Sequence, residues 1–121
     1  MTILSEIFAH KRVEVAAQKQ RVPALDLMAQ VEAARPPLDF VGALRSDPHS
    51  TYPQLIAEVK QGSPSKGALV KDFDPIRLAK TYAANGAAAI SVLTDEKYFG
   101  GSLDYLRQIA SLNLGVPLLR K

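Results

Sequence analysis

The sequence has 121 residues, 47% hydrophobic and 22% charged, with no cysteine. That composition excludes disordered and fibrous chains, a disulfide framework and a thiolate metal centre, and leaves one globular domain or part of one. The net charge of +3 is spread among acids and bases along the whole chain and argues against a nucleic-acid surface. No apolar run approaches the ~20 residues of a membrane span. The opening stretch "MTILSEIFAHKRVEVAAQ" carries charges where a signal peptide would be apolar, so the chain reads as cytoplasmic, with no membrane partner.

The first segment places Ile3, Leu4, Ile7, Phe8 and Val15 at helical spacing, with Lys11, Arg12 and Lys19 expected off that stripe, and predicts an amphipathic helix. A second helix is predicted from Pro23 or Ala24 to Ala34, ended by Arg35-Pro36-Pro37 because a residue before proline is pushed out of helical geometry. A short third one is predicted over Asp39 to Leu44. "RSDPHSTYP", Arg45 to Pro53, is turn chemistry.

From Leu55 the period changes. "LIAEVK" reads as a strand. "DFDPIRLAKTYAANGA" reads as a helix, with Asp74 as N-cap, Pro75 in the first helical position and Gly86 as its stop. "AAAISVLT", Ala87 to Thr94, is a nearly continuous apolar run of the kind found in a parallel strand covered on both faces. "GGSLDYLRQIASLN" turns on two glycines, caps with Ser102 and carries an apolar side through Leu103, Leu106, Ile109 and Ala110. "GVPLLRK" begins a third strand. Strand, helix, strand, helix, strand at ~30-residue intervals implies a parallel sheet, either doubly wound or closed into a barrel.

Side chains alternate along a strand, so Leu55, Ala57 and Val59 share one face of the first strand and Ile56, Glu58 and Lys60 the other. The first face should pack on helices. The second ends charged at its C-terminal end, where parallel-sheet proteins of both kinds bind ligands. An acid beside a base at that mouth suits proton transfer. Without other context, such a pair on a strand is more often a solvated edge pair. His10 and His49, far apart in sequence, read as a helix-surface and a loop histidine.

"IAEVKQGSPSKG", "DFDP", "AISVLTDEKYFGGS" and "VPLLRK" together resemble the indole-3-glycerol-phosphate synthase family of tryptophan biosynthesis. The likeness runs from Leu55 to Lys121 almost without gaps, and more loosely over the N-terminal helices. It implies an α/β fold of the (β/α)8 TIM-barrel family with an N-terminal helical extension (residues 1–50), followed by the first βα units of the barrel (residues 51–121). The implied enzyme is a carboxy-lyase that closes and decarboxylates 1-(2-carboxyphenylamino)-1-deoxyribulose 5-phosphate to indole-3-glycerol phosphate, carbon dioxide and water. It needs no cofactor and no metal, and its partner is that phosphorylated small molecule.

Carried over position by position, the resemblance implies catalytic roles for Lys121, Lys60 and Glu58. Lys121 would be a general acid in ring closure. Lys60 would contact the substrate's carboxylate and phosphate and donate a second proton during dehydration. Glu58 would hold the lysines in a charge network. Ser63 would help to bind the phosphate, and Phe99 would line the anthranilate pocket. Asp74, Pro75, Gly100, Gly101 and Ser102 read as structural.

Two departures from the family pattern carry expectations. Gly62 stands where a larger or polar residue is more usual, which should loosen the loop before Ser63. A barrel of this type needs ~250 residues, so the 121 here should stop after the start of the third strand and be inactive alone. The competing reading is a non-catalytic half-barrel that assembles through its open sheet edge, with itself or with a complementary C-terminal half.

Overall fold

The computed structural model describes every residue of the chain except Ser46. It divides into two compact units, Met1–Pro36 and Pro37–Lys121.

The first unit is α1 (Ile3–Arg21) and α2 (Ala24–Ala33). Thr2 caps α1, its hydroxyl oxygen accepting the Ser5 N–H at 3.2 Å, and Lys11 pairs with Glu14 at 2.8 Å one turn on. The helix forms as expected, but its apolar residues do not make one stripe. At ~100° per residue, Lys11 projects between Ile7 and Phe8, and Val13 falls on nearly the opposite side from Val15. No residue of α1 or α2 is buried. Ala34 turns extended ahead of Arg35-Pro36, which ends α2 as proline sterics require. Among the described residues, no helix is long and apolar enough to cross a membrane.

The second unit begins with α3 (Phe40–Leu44), capped by Asp39, whose carboxylate accepts the Gly42 N–H at 2.9 Å. In the following turn the Asp47 side chain takes the His49 N–H at 2.9 Å and its carbonyl takes the Ser50 N–H at 2.8 Å. Of that predicted turn, Ser46 lies outside the described residues. β1 (Ile56–Val59), β4 (Ala89–Val92) and β5 (Leu118–Arg120) make a three-stranded parallel sheet in the order β1-β4-β5. Between β1 and β4 runs α4 (Pro75–Ala84), and between β4 and β5 run α5 (Glu96–Phe99) and α6 (Leu103–Ser111).

The cap residues read from the sequence act as caps. Asp74 accepts the Arg77 N–H at 3.0 Å with Pro75 next in the helix, and Ser102 accepts the Asp104 N–H at 3.1 Å. The core lies between the sheet and two helices. Ala57 and Val59 of β1 and Ile90 and Val92 of β4 meet Ala79 of α4 and Ile109 of α6. Phe73 and Tyr105 close one side edge to face, their rings 5.7 Å apart. Alternation along β1 covers Ala57 and Val59 as expected, but Leu55, expected on the same covered face, precedes the strand and is exposed.

On the face opposite the core, exposure falls on the flanking strands. Ile56 of β1 and Leu119 of β5 are 43% and 41% exposed, while Ala89 and Ser91 on the middle strand, and Leu93 just after it, are buried. A middle strand has neighbours on both sides, and α3 lies against it.

Two elements lie outside the sequence expectations. One is a small antiparallel hairpin after β1, formed by β2 (Gly62–Ser63) and β3 (Gly67–Ala68) and closed by the Leu69 N–H on the Gln61 carbonyl at 2.8 Å. The other is the single turn of α5. The hairpin also corrects the expectation for Gly62. A Cβ there would strike the carbonyl oxygen of Gly67, so glycine is what lets the two short strands close, and it tightens the loop.

Candidate active site

Parallel strands bring their C-terminal ends together, and the register decides which side chains meet there. Glu58 stands opposite Ser91, and Ser91 opposite Leu119. Lys60 and Lys121 follow two residues beyond Glu58 and Leu119, on the same face. The ladder continues to these ends. Leu93 N–H donates to the Val59 carbonyl at 3.2 Å and Lys121 N–H to the Val92 carbonyl at 3.0 Å. Thr94 holds the Lys121 carbonyl twice, through its N–H at 2.7 Å and its hydroxyl at 2.9 Å. The backbone of Lys121 is thus bonded into the sheet.

Three of the five predicted site residues gather around one carboxylate. Lys121 Nζ lies 2.8 Å from Glu58 Oε2, and Lys60 Nζ lies 3.9 Å from Glu58 Oε1. Their side chains are 56%, 34% and 29% exposed for Lys121, Lys60 and Glu58. Pairs as open to water as these add at most ~1 kcal/mol to stability. The cluster is therefore poorly explained as a structural brace. Two ammonium groups share one carboxylate, leaving an excess positive charge at the mouth of the sheet that suits an anionic ligand.

The other two predicted residues stand on neighbouring loops. Ser63 ends β2, and its hydroxyl is engaged within its own loop, accepting the Lys66 N–H at 3.3 Å beside Ser65 Oγ at 3.4 Å. Phe99, half-buried, ends α5. Its position is set by Asp95, a buried N-cap whose Oδ2 accepts the N–H groups of Tyr98 at 2.7 Å and Phe99 at 3.2 Å. Gly100 then turns with φ +63°, a left-handed geometry that favours glycine, and a Cβ on Gly101 would strike the Leu93 carbonyl. These glycines fold the chain back after Phe99, which is the structural role expected of them. The loop after β1 and α5 touch, as α5 packs on β2.

Two contributors escaped the sequence reading. Tyr82 of α4 donates its hydroxyl to the Glu58 carbonyl at 3.3 Å, pinning helix to strand behind the cluster. Ser91 donates to Glu58 Oε2 at 3.4 Å from inside β4. A signal for Ser91 was present, as it is the one polar residue in "AAAISVL". Among the described residues, no group of three His, Asp or Glu side chains could hold a metal ion.

The family model described as indole-3-glycerol phosphate synthase matches residues 4–121. The indole-3-glycerol phosphate synthase of Roseiflexus sp. (strain RS-1) is 54% identical over 125 residues, covering 99% of this chain and 45% of that protein. That of Microcystis aeruginosa is 48% identical, covering 98% of this chain and 39% of the relative. The chloroplastic enzyme of Arabidopsis thaliana is 49% identical, over 98% and 30%. The chain spans less than half the length of these curated relatives, at identities far above what a shared fold alone would give. It belongs to the indole-3-glycerol phosphate synthase family.

Proposed function

We propose that the full-length protein carrying this chain is an indole-3-glycerol-phosphate synthase acting in the cytoplasm, with 1-(2-carboxyphenylamino)-1-deoxyribulose 5-phosphate as substrate. The observation that carries the reading is the Glu58-centred pair of lysines at the strand ends, in a chain matched to that family along nearly its whole length. In this reading residues 1–50 are an N-terminal helical extension, and residues 51–121 are the first βα units of a (β/α)8 barrel whose remaining strands complete the pocket.

The reaction asks for these residue types. The aromatic carbon bearing the carboxylate attacks the ketone carbon, and the carbonyl oxygen must take a proton as the new bond forms. Lys121 donates it. The bond to the carboxylate then breaks, releasing carbon dioxide, and the new hydroxyl must leave as water, which needs a second proton at the same oxygen while the adjacent ring carbon loses its proton, to a base from the remaining strands, as the indole double bond forms. Lys60 supplies that one and also faces the substrate's negative groups. Glu58 keeps both ammonium groups aimed, Ser63 helps to bind the phosphate, and Phe99 walls the anthranilate ring. Positioned proton transfer of this kind is worth roughly 100- to 10,000-fold in rate.

The test is product formation by the purified full-length protein, followed by the fluorescence of the indole ring. Turnover in the wild type, lost in Lys60→Ala, supports the reading. No turnover in the wild type would end it. The 121-residue chain alone is expected to form no product.

A second reading is favoured by the apolar Ile56 and Leu119, exposed on the site face of the flanking strands. The chain would be a non-catalytic half-barrel that pairs with itself or with a complementary C-terminal half through its open sheet edges. A monodisperse monomer in light scattering, unchanged on adding the separately made second half, would exclude it.

A further inference from the structure

We propose that Ser91 is a positioning residue for the Glu58 carboxylate, setting which of the two lysines that carboxylate holds tightly. The inference rests on the reaction proposed above and adds a residue to its machinery.

The first observation is burial. Ser91 is 4% exposed and sits in a strand whose other members, Ala89, Ile90 and Val92, are completely buried. A hydroxyl in so dry a place must find a partner, because leaving it unbonded costs about as much as a lost hydrogen bond. The partner is Glu58, directly opposite in the parallel register and on the same face. Alanine or valine would fill this strand position with no such demand, so packing alone does not explain a hydroxyl here.

The second observation is the asymmetry of the carboxylate. Oε2 takes both the Ser91 hydroxyl, at 3.4 Å, and the Lys121 ammonium, at 2.8 Å. Oε1 is left to Lys60 at the longer 3.9 Å. The last torsion of a glutamate is soft and nearly two-fold, so two cations alone would leave the carboxylate free to rock between them. A neutral donor fixed in the middle of the sheet breaks that symmetry without adding charge. It turns Oε2 toward Lys121 and leaves Lys60 the looser ion pair, free to reach an anionic substrate. Ser91 lies beneath the cluster in the strand body, so it acts through Glu58 and needs no contact with substrate.

Alanine at this position should therefore leave the fold and substrate binding largely intact and weaken the chemical step. The experiment uses the full-length protein and compares the wild type with Ser91→Ala and Ser91→Thr, reading kcat, KM and the melting temperature of each. We expect kcat of Ser91→Ala to fall about tenfold, with KM within about twofold of the wild type and melting within a few degrees. Threonine keeps the hydroxyl and suits a strand, so Ser91→Thr should recover most of the lost kcat. A Ser91→Ala protein with wild-type kcat would overturn the proposal. So would a Ser91→Thr protein as slow as the alanine variant, which would make the site a matter of packing. A wild-type protein that forms no product would defeat the proposed reaction itself, an outcome distinct from failure at Ser91.

Discussion

The two faces of the three-stranded sheet are built from the same strands to opposite ends. On one, the apolar Ala57, Val59, Ile90 and Val92 are packed under α4 and α6. On the other, Ile56 and Leu119 are exposed on the flanking strands, and Glu58, Lys60 and Lys121 gather at the C-terminal end beside a buried serine. The covered face contributes stability, since a fully buried aliphatic side chain is worth about 1.5–3 kcal/mol. The charged face contributes almost none, because its ion pairs are partly in water. Mutations on the two faces should therefore separate folding from chemistry.

The largest expected effect breaks the charged face alone. Lys121→Ala in the full-length protein should lower kcat by roughly 100- to 10,000-fold while leaving the urea midpoint nearly unchanged. Equal loss of rate and stability would mean that the faces are not separable. On the covered face, Ile90→Ala removes a fully buried side chain from the core and should cost about 2–5 kcal/mol in urea unfolding. Asp95→Ala sharpens the comparison at an intermediate scale. It takes the cap from α5, with an expected loss of about 1 kcal/mol and a rise in KM, because Phe99 is no longer held. The smallest effect belongs to the Asp104–Arg107 pair on the solvent side of α6, 2.8 Å long and over 70% exposed. Asp104→Ala should change stability by under about 0.5 kcal/mol and leave kcat untouched.

Much of this was legible in the sequence because alternation and capping are local rules. The parity of Ala57, Glu58, Val59 and Lys60 assigned both faces of β1, and Asp74-Pro75 and Ser102 marked the starts of α4 and α6 before any packing was known. Where reading failed, the causes differ. Gly62 looked permissive, yet its lack of a side chain answers to Gly67, five residues on. α5 is too short to show a helical period, and only Asp95 and Gly100 at its ends betray it. α1 shows the opposite error, since a few apolar residues at helical spacing suggested a stripe that Lys11 and Val13 interrupt. Ser91 was visible as the one polar residue in an otherwise apolar run, and its meaning appears only once the register sets it against Glu58.

The most direct test of the account is a paired measurement on Glu58→Gln in the full-length protein, taking kcat for indole-3-glycerol phosphate formation and the urea midpoint from the same preparation. Glutamine keeps the shape of the side chain and removes only its charge. The account predicts a loss of at least about 100-fold in kcat with the midpoint essentially unmoved. A variant that turns over at the wild-type rate, or one that simply unfolds, would contradict the claim that the Glu58 cluster exists for chemistry rather than for the fold.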